Sequence, residues 1–393
     1  MKDLRNALSR LHTRHRLRTH RTLNSPQGVE ITVGGRRRIN FSSNDYLGLA
    51  NHPQVRHALI QGARRWGAGS GSAHLICGHS AAHQALAEEL ADWLGRERVL
   101  LFSTGYMANL AAISTLMGRH DLVLADRLNH ASLLDAGLLA RSRCRRFRHA
   151  DAAEAAARLA QSTAPDTMVT TDGVFSMDGD IAPLAALAQA SGEHRAWLLV
   201  DDAHGIGVLG PGGRGCVAQA GLTQHDVPVL VGTLSKAFGT AGAFVAGSAV
   251  LIDYLTNHAR PYIFTTAPPP AVAEATRAAL RLIHTESWRR ERLTALIHRF
   301  RSACTAADVP LLPTGTAIQP IVIGTDASAV KMAEQLDRQG FLVPAIRPPT
   351  VAEGAARLRI TLCAEHQDSH IDALVDALAA ARRSVACGRC GIV

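Results

Sequence analysis

The sequence predicts an α/β protein, a large domain on a mostly parallel sheet flanked by helices, followed by a smaller C-terminal α+β domain. Three observations carry this. Short apolar runs at 99–102, 122–125, 197–200 and 227–231 alternate with helical segments, and each ends in a polar or glycine-containing turn. That is the pattern of buried parallel strands. After about Pro270 a long helical stretch runs through 274–303, and beyond it residues 357–362 (Arg-Leu-Arg-Ile-Thr-Leu) alternate strictly, as in a strand with one buried face. Finally Ile371, Leu374, Val375 and Leu378 recur at helical spacing.

Four segments follow: a basic N-terminal arm (1–45), the large domain (46–285), the small domain (286–385) and a tail (386–393). The arm accounts for the charge. Residues 1–38 hold ten Lys or Arg against two acids, which is +8 of the overall +9, so the rest is close to neutral. Nucleic-acid binding would call for a basic folded face with interleaved aromatics, and aromatics are only 4% of this chain. No run of 18 apolar residues suggests a membrane span and no apolar leader is visible. Seven scattered cysteines make no disulfide framework and point to a reducing, cytoplasmic setting. Cys387 and Cys390 have C-x-x-C spacing, but no second pair completes a zinc site, so no metal is expected.

In open parallel sheets ligands bind beyond the carboxyl ends of the strands, and the residues there are reactive. Only three of the 42 basic residues are lysine, and one of them, Lys236, follows the 227–231 run in the turn Thr233-Leu234-Ser235-Lys236. A lysine partly desolvated at a strand end can act as a neutral amine toward a carbonyl; the bland alternative is a solvated surface lysine. The run 197–200 ends in Asp201, with His204 three residues on. An aspartate placed so can hold a ring nitrogen protonated. The pattern Gly205-x-Gly207-x-x-Gly210 imitates a dinucleotide fingerprint, but it runs into Pro211 rather than a helix, which excludes that reading. Gly105 and Tyr106 open a helix after the 99–102 strand, a phosphate-type position. His130 follows the 122–125 run and reaches the same sheet edge.

Together the T-x-S-K-x-x-G turn, the D-x-x-H pair 35 residues before it and the phosphate-type helix start resemble the pyridoxal-phosphate enzymes of the aspartate aminotransferase fold (fold type I). The strings Asn40-Phe41-Ser42-Ser43-Asn44-Asp45-Tyr46-Leu47-Gly48-Leu49, Gly173-Val174-Phe175-Ser176-Met177-Asp178-Gly179-Asp180 and Ala345-Ile346-Arg347-Pro348-Pro349-Thr350-Val351 resemble the α-oxoamine synthases, in order along nearly the whole chain. They favour the alanine-using branch of biotin biosynthesis over glycine-using members such as 2-amino-3-ketobutyrate ligase and 5-aminolevulinate synthase. The stretch 67–74 departs from the family in carrying Ser72 where relatives usually keep a glycine.

The resemblance implies a decarboxylative condensation of L-alanine with a pimeloyl thioester, carried by coenzyme A or an acyl carrier protein. It implies that Lys236 forms the Schiff base with pyridoxal 5'-phosphate and that Asp201 pairs with the pyridinium nitrogen. His204 and Ser176 would contact the phenolic-oxygen side and His130 would stack on the ring and meet substrate. Gly105 and Tyr106, with Thr233 and Ser235, would hold the phosphate. Arg347 would grip the amino-acid carboxylate, Arg18 and Thr350 would bind substrate, and Thr265 or Thr266 would reach a neighbouring subunit's phosphate in a homodimer. The arm's arginines, Arg14 and Arg16 among them, would attract an anionic acyl carrier.

Overall fold

The computed structural model describes residues 2–387, the side chains of 384–387 excepted, so Cys390 and the Cys387 side chain of the tail pair lie outside it. The chain divides into two compact units. One comprises 1–48, 177–180 and 288–393, and the other 49–176 and 181–287. The N-terminal arm thus belongs to the same unit as the C-terminal residues instead of standing apart.

The second unit is built on a seven-stranded sheet. Its strands run, in spatial order, Arg98–Phe102, Ala243–Gly247, Val229–Thr233, Trp197–Asp201, Thr167–Asp172, Leu122–Asp126 and Arg143–Phe147. Only Ala243–Gly247 is antiparallel to its neighbours. The central strands are buried on both faces, as their unbroken apolar composition requires. The Gly105–Leu116 helix supplies Ala108, Ala111, Ala112 and Ile113 to a core shared with Phe102, Leu199, Val231, Val245 and Tyr262. Its N-cap is Thr104, whose hydroxyl accepts from the Met107 amide at 3.2 Å. The register pairs Asp172 with Asp201, and the Leu122–Asp126 strand ends alongside in Asp126. Parallel pairing therefore delivers several carboxylates to one sheet edge.

The first unit holds two three-stranded sheets. Glu30–Val33, Arg36–Asn40 and Phe341–Leu342 form one, and Ile318–Gly324, Ala356–Thr361 and Ala345–Ile346 the other. Two expectations change here. The helical stretch 274–303 is two helices, Pro270–Thr285 and Trp288–Ala306, broken where Glu286 leaves helical geometry, and the break coincides with the boundary between units. The Ala356–Thr361 strand is buried along its whole length instead of on one face. Its arginines are bonded inside: Arg357 donates to the Asp178 carboxylate at 2.6 Å, and Arg359 to the Asn44 amide oxygen Oδ1 at 3.2 Å. Such pairing is what lets a guanidinium leave water. The Asp368–Cys387 helix buries Ile371, Leu374, Val375 and Leu378.

Candidate active site

At the carboxyl edge of the large sheet, Asp201 is 6% exposed and tightly placed. Asn109, fully buried on the Gly105–Leu116 helix, donates through Nδ2 to Asp201 Oδ2 at 2.6 Å and to Ser132 Oγ at 2.8 Å. The Ala203 amide donates to Asp201 Oδ1 at 3.1 Å. Donors on both oxygens give this carboxylate a fixed direction.

His130 is the N-cap of the Ala131–Leu139 helix. Its Nδ1 accepts from the Ser132 amide at 3.3 Å and lies 2.7 Å from Ser132 Oγ. That arrangement puts the ring proton on Nε2. Its own backbone N–H donates to Asp172 Oδ2 at 2.7 Å. Although the ring is open to solvent on one side, crowding by protein lowers its pKa from the usual imidazole value; Asp201 works the other way and Lys236 reinforces the fall. The ring is therefore neutral at pH 7. Asp172 is shifted the opposite way, well above the usual carboxylate range, first by burial and then by the like charge of Asp201, with the His130 amide and Lys236 opposing.

Lys236, half-buried in the turn after Val229–Thr233, thus sits within electrostatic reach of both His130 and Asp172. Thr233 Oγ1 lies 2.8 Å from Ser235 Oγ. A Cβ placed on Gly105 would come 4.0 Å from the Thr233 Cβ, so these hydroxyls and the first turn of the Gly105–Leu116 helix share one location. First-turn amides have no partners within their helix and favour an anion. Tyr106 is exposed, meets His130 edge to face at 6.3 Å between ring centroids, and donates its hydroxyl to Asp135. His204 and Ser176 lie half-buried in the turns that follow Asp201 and Asp172. A buried anion, a neutral imidazole, a lysine and an anion-favouring helix start fit a cationic heteroaromatic ring that carries a phosphate.

In the other unit, Arg18, Arg347 and Thr350 come together. Arg18 Nη2 is 3.4 Å from the Pro348 carbonyl and 3.5 Å from Thr350 Oγ1. Burial, and next the like charge of Arg18, lower the pKa of Arg347. Arg347 donates through Nη1 to the His15 carbonyl, while its buried Nε finds no acceptor among the described residues. Two guanidiniums with an unused buried donor suit a carboxylate. Arg16 is otherwise engaged: it pairs with Asp326 at 2.6 Å and with Glu353. Of the arm arginines expected to attract an anionic carrier, Arg16 is thus held in ion pairs within its own unit.

A family model described as Aminotransferase class I and II matches residues 36–378. The chain is 58% identical over 377 residues to the 8-amino-7-oxononanoate synthase of Methylococcus capsulatus, covering 96% of this chain and 97% of that protein. The chain belongs to the 8-amino-7-oxononanoate synthase family of class I and II aminotransferases. Among solved structures, Sphingomonas wittichii serine palmitoyltransferase has a TM-score of 0.92 at 32% identity, covering 98% of this chain and 97% of that one. The 8-amino-7-oxononanoate synthase from Francisella tularensis has 0.77 at 30% identity, with coverages of 88% and 98%.

Within this synthase fold, three residues that sequence reading passed over complete the edge: Asn109, Ser132 and Asp172. Each is a buried polar side chain bonded to a singled-out residue. The available signal was an asparagine inside an otherwise apolar helix and an acid ending the Thr167–Asp172 strand. The false dinucleotide pattern also finds its explanation. An added Cβ at Gly205 would approach the buried Asp202 carboxyl to 2.1 Å, one at Gly207 the Ala237 Cβ to 2.7 Å and one at Gly210 the Gly215 carbonyl to 2.4 Å. These glycines allow close packing of the chain on itself rather than the approach of a nucleotide.

Proposed function

We propose that this chain is a pyridoxal 5'-phosphate-dependent acyltransferase that condenses L-alanine with a pimeloyl thioester, of coenzyme A or an acyl carrier protein. The products are 8-amino-7-oxononanoate, carbon dioxide and the free thiol carrier. The observation that carries the reading is Lys236 at the sheet edge beside Asp201, His130 and Asp172, in a chain 58% identical over 377 residues to a synthase of that name.

Asp201 would hold the cofactor ring nitrogen, with His130 against the ring. His204 and Ser176 would serve the phenolic-oxygen side. The Gly105 and Tyr106 amides, with the Thr233 and Ser235 hydroxyls, hold the phosphate. Bound there, pyridoxal phosphate supplies an aldehyde for amine capture and an electron sink for the substrate's Cα. Asn109 fixes the direction of the Asp201 charge that sustains this sink.

The residues of the chain do the remaining work. Arg347, with Arg18 and Thr350, binds the alanine carboxylate. Lys236 Nζ, as a neutral amine, takes the Cα proton and later returns one. Neutral His130, its proton held on Nε2 by the Ser132 amide, donates to the thioester carbonyl oxygen as the new carbon–carbon bond forms. The carbon–sulfur bond then breaks and the thiol carrier leaves with a proton, and loss of the carboxylate as carbon dioxide gives the amino ketone.

No helix of the described residues is long and apolar enough to cross a membrane. The enzyme works as a cytoplasmic homodimer, in which Thr265 or Thr266 reaches the neighbouring subunit's phosphate. The test is thiol release with alanine, glycine or serine against thioesters of different chain length. Alanine with the pimeloyl thioester should turn over fastest. Faster turnover of glycine with acetyl-CoA, or of serine with palmitoyl-CoA, would overturn the assignment.

A further inference from the structure

Away from the sheet-edge site, His74, His79 and His83 present ring nitrogens that all lie within 4.8 Å of one another. The sequence places them as H-x4-H-x3-H across a π-turn, His74–Gly78, and the first turn of the Ala81–Leu94 helix. Their ring centroids are 5.1, 5.1 and 5.6 Å apart, so the three rings face a common point in place of stacking in a row.

Each ring is held differently. His83 lies 2.8 Å through Nε2 from the Pro268 carbonyl, while its Nδ1 accepts from the Ser80 amide at 3.1 Å. A nitrogen that donates to a backbone carbonyl orients the ring as in metal-binding histidines, and a cation on His83 Nδ1 would take the place of the Ser80 amide. His74 is 8% exposed and stacked on Tyr262 at 5.0 Å, and its Nε2 has no partner among the described residues. A buried ring nitrogen without a partner needs a physical reason. His79 is exposed; its Nδ1 is 2.8 Å from His74 Nδ1 and its Nε2 is 3.1 Å from Gln84 Oε1. His74 and His79, with Gln84 and Glu88, line a cavity of about 710 Å³ that gives access from solvent.

We propose that His74, His79 and His83 bind one borderline divalent cation of the zinc, cobalt or nickel class, with a water molecule or the Gln84 carbonyl oxygen in the fourth position. Imidazole nitrogens suit these ions rather than magnesium or calcium. A zinc–nitrogen bond of about 2.0–2.1 Å in tetrahedral geometry needs nitrogens roughly 3.3 Å apart. The rings must therefore close in by about 1.5 Å at most, a movement that the exposed His79 can supply by rotating. Binding would clamp the π-turn onto the helix that follows it. The segment so fixed is also tied to 266–267, through the Ala73–Thr266 bridge and the Ala267 amide on the Ser72 carbonyl.

The holoenzyme, stripped with chelator, is dialysed against zinc and analysed for bound metal, with thermal melting followed in parallel. All samples carry Cys390→Ser, which removes the C-x-x-C pair of the tail as a competing site. The expected result is one zinc per chain and a melting temperature that rises with zinc. In His79→Phe the affinity should fall by more than about 100-fold, since even outer-shell partners of metal ligands cost 10- to 100-fold, and zinc should no longer shift melting. His79→Gln, milder in shape, should do the same, and Cys77→Ser in the same turn should change nothing. Absence of tight zinc, binding unaltered in both His79 variants, or binding lost with Cys77→Ser would each overturn the proposal.

Discussion

Replacing Arg347 with alanine tests the substrate half of the account most sharply. In the structure Nη1 is committed to the His15 carbonyl, whereas the buried Nε has no acceptor, so Nε and the remaining guanidinium nitrogen are the groups available to a carboxylate. Each charge-assisted hydrogen bond is worth about 1.5–3 kcal/mol. Two of them give about 3–6 kcal/mol, and at 1.36 kcal/mol per factor of ten kcat/KM for alanine should fall by roughly 10²–10⁴. Because the bond is made to the amino acid in the ground state as well, much of the loss should appear as a raised KM for alanine. The KM for the thioester should barely move. Arg347→Lys should recover only a small part, because a lysine cannot present a fixed fork. Steady-state thiol release at varied alanine and fixed pimeloyl thioester reads all of this. A loss below about threefold, or one confined to the thioester KM, would refute the assignment of Arg347.

Three further outcomes follow from the same geometry. Ser132→Ala removes the hydroxyl 2.7 Å from His130 Nδ1 and keeps the amide donor, so the ring is held by one contact instead of two and kcat should drop by about tenfold while the cofactor's absorbance stays in place; an unchanged kcat would show that the hydroxyl does not help to hold the ring. Asp202 is buried with a pKa pushed up to about 7, chiefly by desolvation. The folded chain therefore keeps a proton that the unfolded chain releases near pH 4. Stability should fall as pH rises through that window, by about 4 kcal/mol in total. Asp202→Asn should remove this slope in urea unfolding at pH 4.5 and pH 8, and an identical pH dependence in both proteins would contradict it. Gly215→Ala meets the Asp202 carboxyl at 2.0 Å with φ +90, so it should lower stability by at least about 2 kcal/mol; a neutral effect would mean that the Asp202 enclosure is looser than described.

The strand ends were legible in the sequence because buried parallel strands are apolar without interruption, which leaves the first polar residue after each run as a marker. Asp201 sits where that rule puts it, His130 comes four residues after the Asp126 that ends its strand, and Lys236 follows the strand that ends at Thr233. What joins them was not legible. Asn109 and Ser132 come from two helices separated by a strand, and nothing in local periodicity reports that their side chains meet or that Asn109 also reaches Asp201. Arg357 and Arg359 misled for a related reason. Alternation of arginine with apolar residues reads as one wet face, but Asp178 and Asn44, far away in sequence, bring compensation that makes the strand dry on both. The H-x4-H-x3-H spacing was visible all along. Only the turn at 74–78 reveals that the three rings converge.

The chain has three lysines, Lys2, Lys236 and Lys331, which makes the central claim open to one direct measurement. The holoenzyme is reduced with borohydride, digested and mapped by mass spectrometry for a phosphopyridoxyl group. The account predicts near-stoichiometric modification at Lys236 and none at the other two, prevented by Lys236→Arg. A group found on Lys2 or Lys331, or a protein that cannot be loaded and reduced at all, would contradict it.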